Sequence, residues 1–270
     1  MVPMAAQSAL LGALLLALAP GPTGSAGLAA AAGVLVAVAC AGVGWVVLVR
    51  ALARHGRRGL GPADHVTITR GTLACVVAAL TTSSVLDRAL TGPSAHPARA
   101  SLVLLASVAL SLDALDGWVA RRTGTASALG ARLDMEVDAW LILVLSVAAS
   151  SVLGWWVVAI GLFRYLLVGA TWAAPWLGGE VPPRYWRKAV AAMQGIVLTL
   201  ATARVLPRPA LVGLAVLALV LLAWSFGTQG AELWRARAPR STRAGERPVE
   251  VLPTAAVVEV GARQRVRPTP

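Results

Sequence analysis

Seven long apolar runs, parted by short links that hold most of the arginines, confine this chain to one kind of fold. They fall at about 27–49, 66–86, 101–120, 137–152, 155–176, 189–205 and 210–233. Crossing a hydrocarbon core of about 30 Å takes roughly 20 apolar residues. Only helices or closed barrels satisfy their backbone there, and runs of this length are helical. An eighth run, at 4–19, is shorter. It is either a further helix or a signal peptide, and the absence of Lys or Arg before it favours the helix. The expectation is an all-α polytopic transmembrane bundle of eight helices. With 57% hydrophobic and 13% charged residues, the chain is no ordinary soluble globule, in which about 25% would be charged.

The formal charge of +12 comes from 23 Arg and a single Lys. Read alone it would suit nucleic acid, but the apolar runs exclude that reading and point to anionic lipid or a phosphorylated substrate. Alternate links differ sharply. One set carries Arg50, Arg54, Arg57, Arg58 and Arg70, then Arg121, Arg122 and Arg132, then Arg184, Arg187 and Lys188. The other carries only Arg88, Arg99, Arg204 and Arg208. Positive residues stay in the cytoplasm, so both termini are expected there, in the plasma membrane. Cys40 and Cys75 lie inside apolar runs and imply neither a disulfide nor a Cys metal site. After Leu233 the composition turns to Arg, Pro, Ser and Glu, so a disordered cytoplasmic tail is expected over 235–270.

Four of the six aspartates, Asp113, Asp116, Asp134 and Asp138, lie within 26 residues where two apolar runs meet. Carboxylates in or beside a bilayer are costly and mark function. Helical spacing pairs Asp113 with Asp116 and Asp134 with Asp138. Two helices joined by a polar link can therefore aim four carboxylates into one cleft opening to the cytoplasm. With no His or Cys in the cluster, hard cations such as Mg2+ or Mn2+ fit best. Gly117 and Gly130 would let phosphates approach the backbone, Arg121 could pair with a phosphate, and Ser127 offers a hydroxyl. The bland alternative has the carboxylates bridging to Arg121, Arg122 and Arg132.

The pattern resembles that of the CDP-alcohol phosphatidyltransferase family, DGxxAR, eight residues, then GxxxDxxxD, with a further Asp three before the first. Asp113, Asp116, Gly117, Ala120, Arg121, Gly130, Asp134 and Asp138 match it throughout. The likeness runs from about Pro62 to Leu233. It implies a six-helix catalytic core, within boundaries drawn at 54–234, preceded by an extension of two helices over 1–53. It also implies attack of an alcohol on the phosphatidyl phosphorus of CDP-diacylglycerol with release of CMP, two Mg2+ or Mn2+ ions held by Asp113, Asp116, Asp134 and Asp138, Asp138 as general base, and a homodimer. Gly117, Arg121, Ser127 and Gly130 would line the CDP-lipid site. The family's NxxTxxR is approximated by DHVTITR, Asp64 to Arg70, in which Thr67 and Arg70 match and Asp64 replaces Asn. Asp64 is thus either a nucleotide contact or the cap of a helix starting near Val66.

For the acceptor, Lys188 and Gln194 fit part of a segment read as GKxKTxxQ in several relatives, while Val190 and Ala191 depart from it. Arg164 lies inside an apolar run, where it needs an acid or phosphate partner. With Arg187 and Lys188 it would favour an anionic acceptor. Trp155, Trp156, Trp172 and Trp176 are expected as interfacial belt residues. A cation transporter would also place carboxylates in the membrane, but DGxxAR is foreign to it. A scaffold could keep the motif without turnover, and CMP release separates the two.

Overall fold

The structure, a computed structural model, describes residue 12 and residues 24–54, 62–92, 99–123, 128–178 and 185–237. Among the described residues there are seven α-helices and no strand: α1 Gly24–Arg54, α2 Pro62–Thr91, α3 Arg99–Thr123, α4 Ala128–Leu153, α5 Val158–Ala173, α6 Tyr185–Ala203 and α7 Arg208–Arg237. Five helices are long and apolar enough to cross a membrane, over Gly24–Arg50, Asp64–Thr91, Gly130–Leu153, Trp155–Ala173 and Arg208–Arg235. This is the all-α, multi-pass bundle that the apolar runs imply. Apart from residue 12, the run at 4–19 lies outside the described residues, as does the tail beyond 237.

Two runs differ from their helices at the ends. Hydropathy measures preference for lipid rather than backbone geometry, so α4 starts at Ala128, well before its apolar run. The run 155–176 is not a single helix. Gly154, at φ 100°, makes a turn, a 3-10 turn spans Trp155–Val157, and α5 ends at Ala173, just before Pro175.

The helices pack in a way suited to lipid. Leu35, Val43, Leu104, Leu166, Trp172 and Val220 point outward, a surface that water would not tolerate and a bilayer accepts. α2 and α4 form the centre, with about half of their spans buried, whereas α1 and α5 are mostly exposed. α2 packs on α1, α3 and α4; α4 also meets α5 and α6; α3 meets α6. Their common core contains Val76, Val77, Ala106, Ala109, Leu141, Leu145, Leu198 and Ala215. Without a hydrophobic drive between helices in lipid, close approach of small residues supplies the packing. A Cβ at Gly161 of α5 would lie 2.4 Å from Leu143 Cα of α4, and one at Gly33 of α1 would lie 2.5 Å from the Ala79 carbonyl oxygen of α2. Glycine is therefore required at both crossings.

Candidate functional site

Alternating helix direction brings the start of α2, the end of α3 and the start of α4 to one end of the bundle. α2 carries Asp64, Thr67 and Arg70 on one face, at successive intervals of three, and all three are buried. α3 brings Asp113, and α4 brings Asp134 and Asp138.

Arg70 is fully buried, while the three aspartate side chains remain partly open. Its Nη1 donates to Asp134 Oδ1 and stands 3.2 Å from Asp113 Oδ1; its Nη2 donates to Asp138 Oδ1. One guanidinium fork thus meets carboxylates from two other helices. One oxygen from each of Asp113, Asp134 and Asp138 lies within 4.8 Å of the other two. Carboxylates this close repel strongly where little water screens them, and Arg70 offsets one of three negative charges.

The donor set fits a hard divalent ion. All three ligands are carboxylates, and the buried Asp113 Oδ1 accepts no hydrogen bond. Asp113, Asp134 and Asp138 could therefore hold a metal ion. Among the described residues, a charge partner shared by all three is Arg70 from α2, a residue outside the link between α3 and α4. Arg132, one of the expected bridging arginines, is exposed.

The other sequence candidates divide in three ways. Asp116, Gly117 and Arg121 lie on α3 and Arg187 and Lys188 on α6, but their side chains are outside the described set, as is the whole of Ser127. Asp64 and Thr67 accompany Arg70 into the bundle. Because α2 begins at Pro62, Asp64 sits inside its first turn, so the capping alternative for a helix starting near Val66 is corrected. Gly130 lies in the first turn of α4, at the same end.

Arg164 does find an acid: its Nη2 donates to Glu136 Oε1 of α4 at 2.5 Å. It also lines a cavity of about 210 Å³ shared with Asp138, Gln194, Ser225 and Gln229. Gln194 is buried, donates through Nε2 to the Ala218 carbonyl at 2.9 Å, and keeps a buried, unpartnered Oε1. This recess beside Asp138, apolar over most of its wall with a few polar groups from Asp138, Arg164, Gln194, Ser225 and Gln229, is where a small hydroxylated molecule could lodge.

Sequence reasoning noted Arg70 as a motif match but gave it no role. The signal was there, since a lone cation one helical turn after Thr67 and inside an apolar run needs acids to meet it. Glu136 was missed as well, although it stands between Asp134 and Asp138.

Trp155 and Trp156 mark one end of the α5 span and Trp172 and Trp176 the other, the spacing of two interfacial belts. Trp172 is largely exposed.

No curated protein and no solved structure matches the chain. Residues 60–228 match the family model of the CDP-alcohol phosphatidyltransferases, a stretch that contains every carboxylate of the site together with Arg70. The chain is therefore a member of the CDP-alcohol phosphatidyltransferase family, a family of membrane-embedded phosphotransferases.

Proposed function

We propose that this protein transfers a phosphatidyl group from CDP-diacylglycerol to a small alcohol or alcohol phosphate, releasing CMP, in phospholipid synthesis. The observation that carries the reading is the convergence of Asp113, Asp134 and Asp138 on Arg70 beside a recess that Arg164 and Gln194 help to line.

Asp113, Asp116, Asp134 and Asp138 would hold two divalent ions, Mg2+ or Mn2+. When bound, these neutralise the diphosphate and stabilise charge on the attacking and leaving oxygens. Asp138 accepts the proton of the acceptor hydroxyl, whose oxygen forms a bond to the phosphatidyl phosphorus as the bond from that phosphorus to the CMP oxygen breaks. CMP departs with the electron pair. Asp138 suits this task because it borders both the carboxylate cluster and the recess. Arg70 acts as a positioning residue, keeping the carboxylates of α3 and α4 convergent. Gly117, Gly130, Arg121, Ser127, Asp64 and Thr67 would receive the CDP moiety. Arg164, with Arg187 and Lys188, would favour an acceptor that carries a phosphate.

The reading places the site at the cytoplasmic face of the plasma membrane, with a core at 54–234, an N-terminal helical extension, an Arg-rich tail, and a homodimeric assembly that mass measurement of the detergent complex would check. The deciding experiment uses purified protein, labelled CDP-diacylglycerol and Mg2+ against a panel of free and phosphorylated alcohols. CMP release should require both one of the acceptors and the metal, and excess chelator should abolish it. Undiminished release in chelator, or none with any acceptor, would refute the reading.

A further inference from the structure

Arg88 lies at the end of α2, Arg99 opens α3 and Arg204 follows α6, all at the end of the bundle opposite the carboxylates. From Arg70 to Arg88 the rise along α2 is roughly 27 Å, nearly the hydrocarbon thickness of about 30 Å. A cavity of about 240 Å³ opens there. Its walls include Arg88, Arg99, Thr81, Ser84, Ser151 and Trp155.

Hydrogen-bond accounting singles out one hydroxyl. Ser84, Ser150, Ser151 and Thr202 donate to the carbonyls of Leu80, Val147, Ala148 and Leu198 in their own helices. Thr81 does not. It is only 3% exposed, yet its Oγ1 has no partner. A threonine inside a helix ordinarily bonds back one turn, so this hydroxyl is an unpartnered donor on a residue that lines the cavity.

The charge at this end is equally incomplete. Among the described residues no acid lines the cavity, and the link at 93–98 contains none. Asp87, beside Arg88 in sequence, makes no ion pair among the described residues. Burial, then the neighbouring Arg99 and Arg88, holds the Arg204 guanidinium below its ordinary pKa. The three cations are therefore close enough to repel one another. Arg204 also adopts φ 57°, a conformation that favours glycine.

We propose that this cavity binds a phosphate group through the forks of Arg88 and Arg99 and the hydroxyl of Thr81. Planar guanidinium forks match phosphate oxygens, and an anion here would complete both the unpaired hydroxyl and the uncompensated charge. Apolar walls from Val85, Leu102 and Ala148 suit the acyl-chain side of an anionic lipid whose headgroup phosphate meets the arginines, and free phosphate shares the same anion chemistry. The site lies outside the transfer chemistry and does not depend on the proposed reaction.

The test compares the full-length protein with the variants Arg88→Gln/Arg99→Gln and Thr81→Val, and with Arg208→Gln as an exposed control at the same end. Native mass spectrometry would measure lipid retained after extraction from vesicles of equimolar phosphatidylcholine and phosphatidylglycerol. Wild type should retain phosphatidylglycerol preferentially. The double variant should lose about tenfold or more of that preference and Thr81→Val about fivefold, while Arg208→Gln keeps it and CMP release stays at the wild-type rate in all three. A parallel arm in phosphatidylcholine alone adds inorganic phosphate and follows Tm. A rise in wild type that Thr81→Val lacks, without lipid retention, supports the site with free phosphate as its ligand. No preference and no phosphate response in wild type, or equal loss in Arg208→Gln, overturns the proposal. Should the double variant fail to fold, the near-isosteric Thr81→Val decides alone, and binding unchanged in it overturns the site.

Discussion

At one end of α2, Arg70 lies wholly buried among three carboxylates drawn from α3 and α4; at the other, Arg88 stands with Arg99 and Arg204, and among the described residues no acid answers them. Both ends are built from the same helices, and each leaves its charge unfinished. At the aspartate end, among the described residues, three carboxylates converge on one guanidinium, which favours a cation. At the far end the surplus is positive and favours an anion. A charge at the edge of a bilayer is best met by an opposite one, so the sign of the surplus points to the class of ligand that each end has room for.

The largest expected effect breaks the aspartate end chemically while leaving it assembled. Asp138→Asn keeps an oxygen ligand and loses the proton acceptor, so turnover should fall by roughly 100-fold or more while CDP-lipid binding survives at saturating Mg2+. Asp134→Asn should differ in kind, weakening metal and CDP-lipid binding together. Near wild-type turnover in Asp138→Asn would remove it as the base.

A second variant tests whether Arg70 holds that end together. Arg70→Gln leaves three carboxylates facing one another, and removing one partner from a buried ion pair costs about 3–5 kcal/mol. Tm should drop clearly, and added Mg2+ should restore part of the loss by supplying positive charge to the same oxygens. Arg88→Gln removes a cation that has no acid partner and should lower Tm little or even raise it. Equal losses from the two variants would erase the distinction between the ends.

The third measurement changes no energy and asks which end faces the cytoplasm. In a background free of Cys40 and Cys75, Leu90→Cys should react with an impermeant thiol reagent in intact cells, and Arg132→Cys only after lysis. Leu90 and Arg132 are both exposed, at opposite ends of the bundle. The reverse pattern would invert the orientation derived from the arginine-poor links.

Much of this was legible before folding was considered, because the relevant physics is local. The cost of placing backbone and charge in lipid acts on each segment separately, so run length marked the spans and the spacing of Asp113, Asp116, Asp134 and Asp138 marked the cluster. Helix ends were less readable. The 3-10 turn at Trp155–Val157 and Pro175 break up a run that hydropathy treats as continuous, and α4 extends through polar residues because helix geometry tolerates them at a bundle end.

What the sequence by itself determined is the class of fold, the family motif and the carboxylate chemistry, all set within single segments or two neighbouring ones. Only the tertiary structure decided the partners. Arg70 meets Asp134 and Asp138 across 64 and 68 positions, Arg164 takes Glu136 across 28, and Thr81 is left without a partner in a cavity lined from several helices. No local pattern carries those pairings, since they depend on which helix faces pack together, and small residues such as Gly33 and Gly161 help set that packing through contacts distant in the chain.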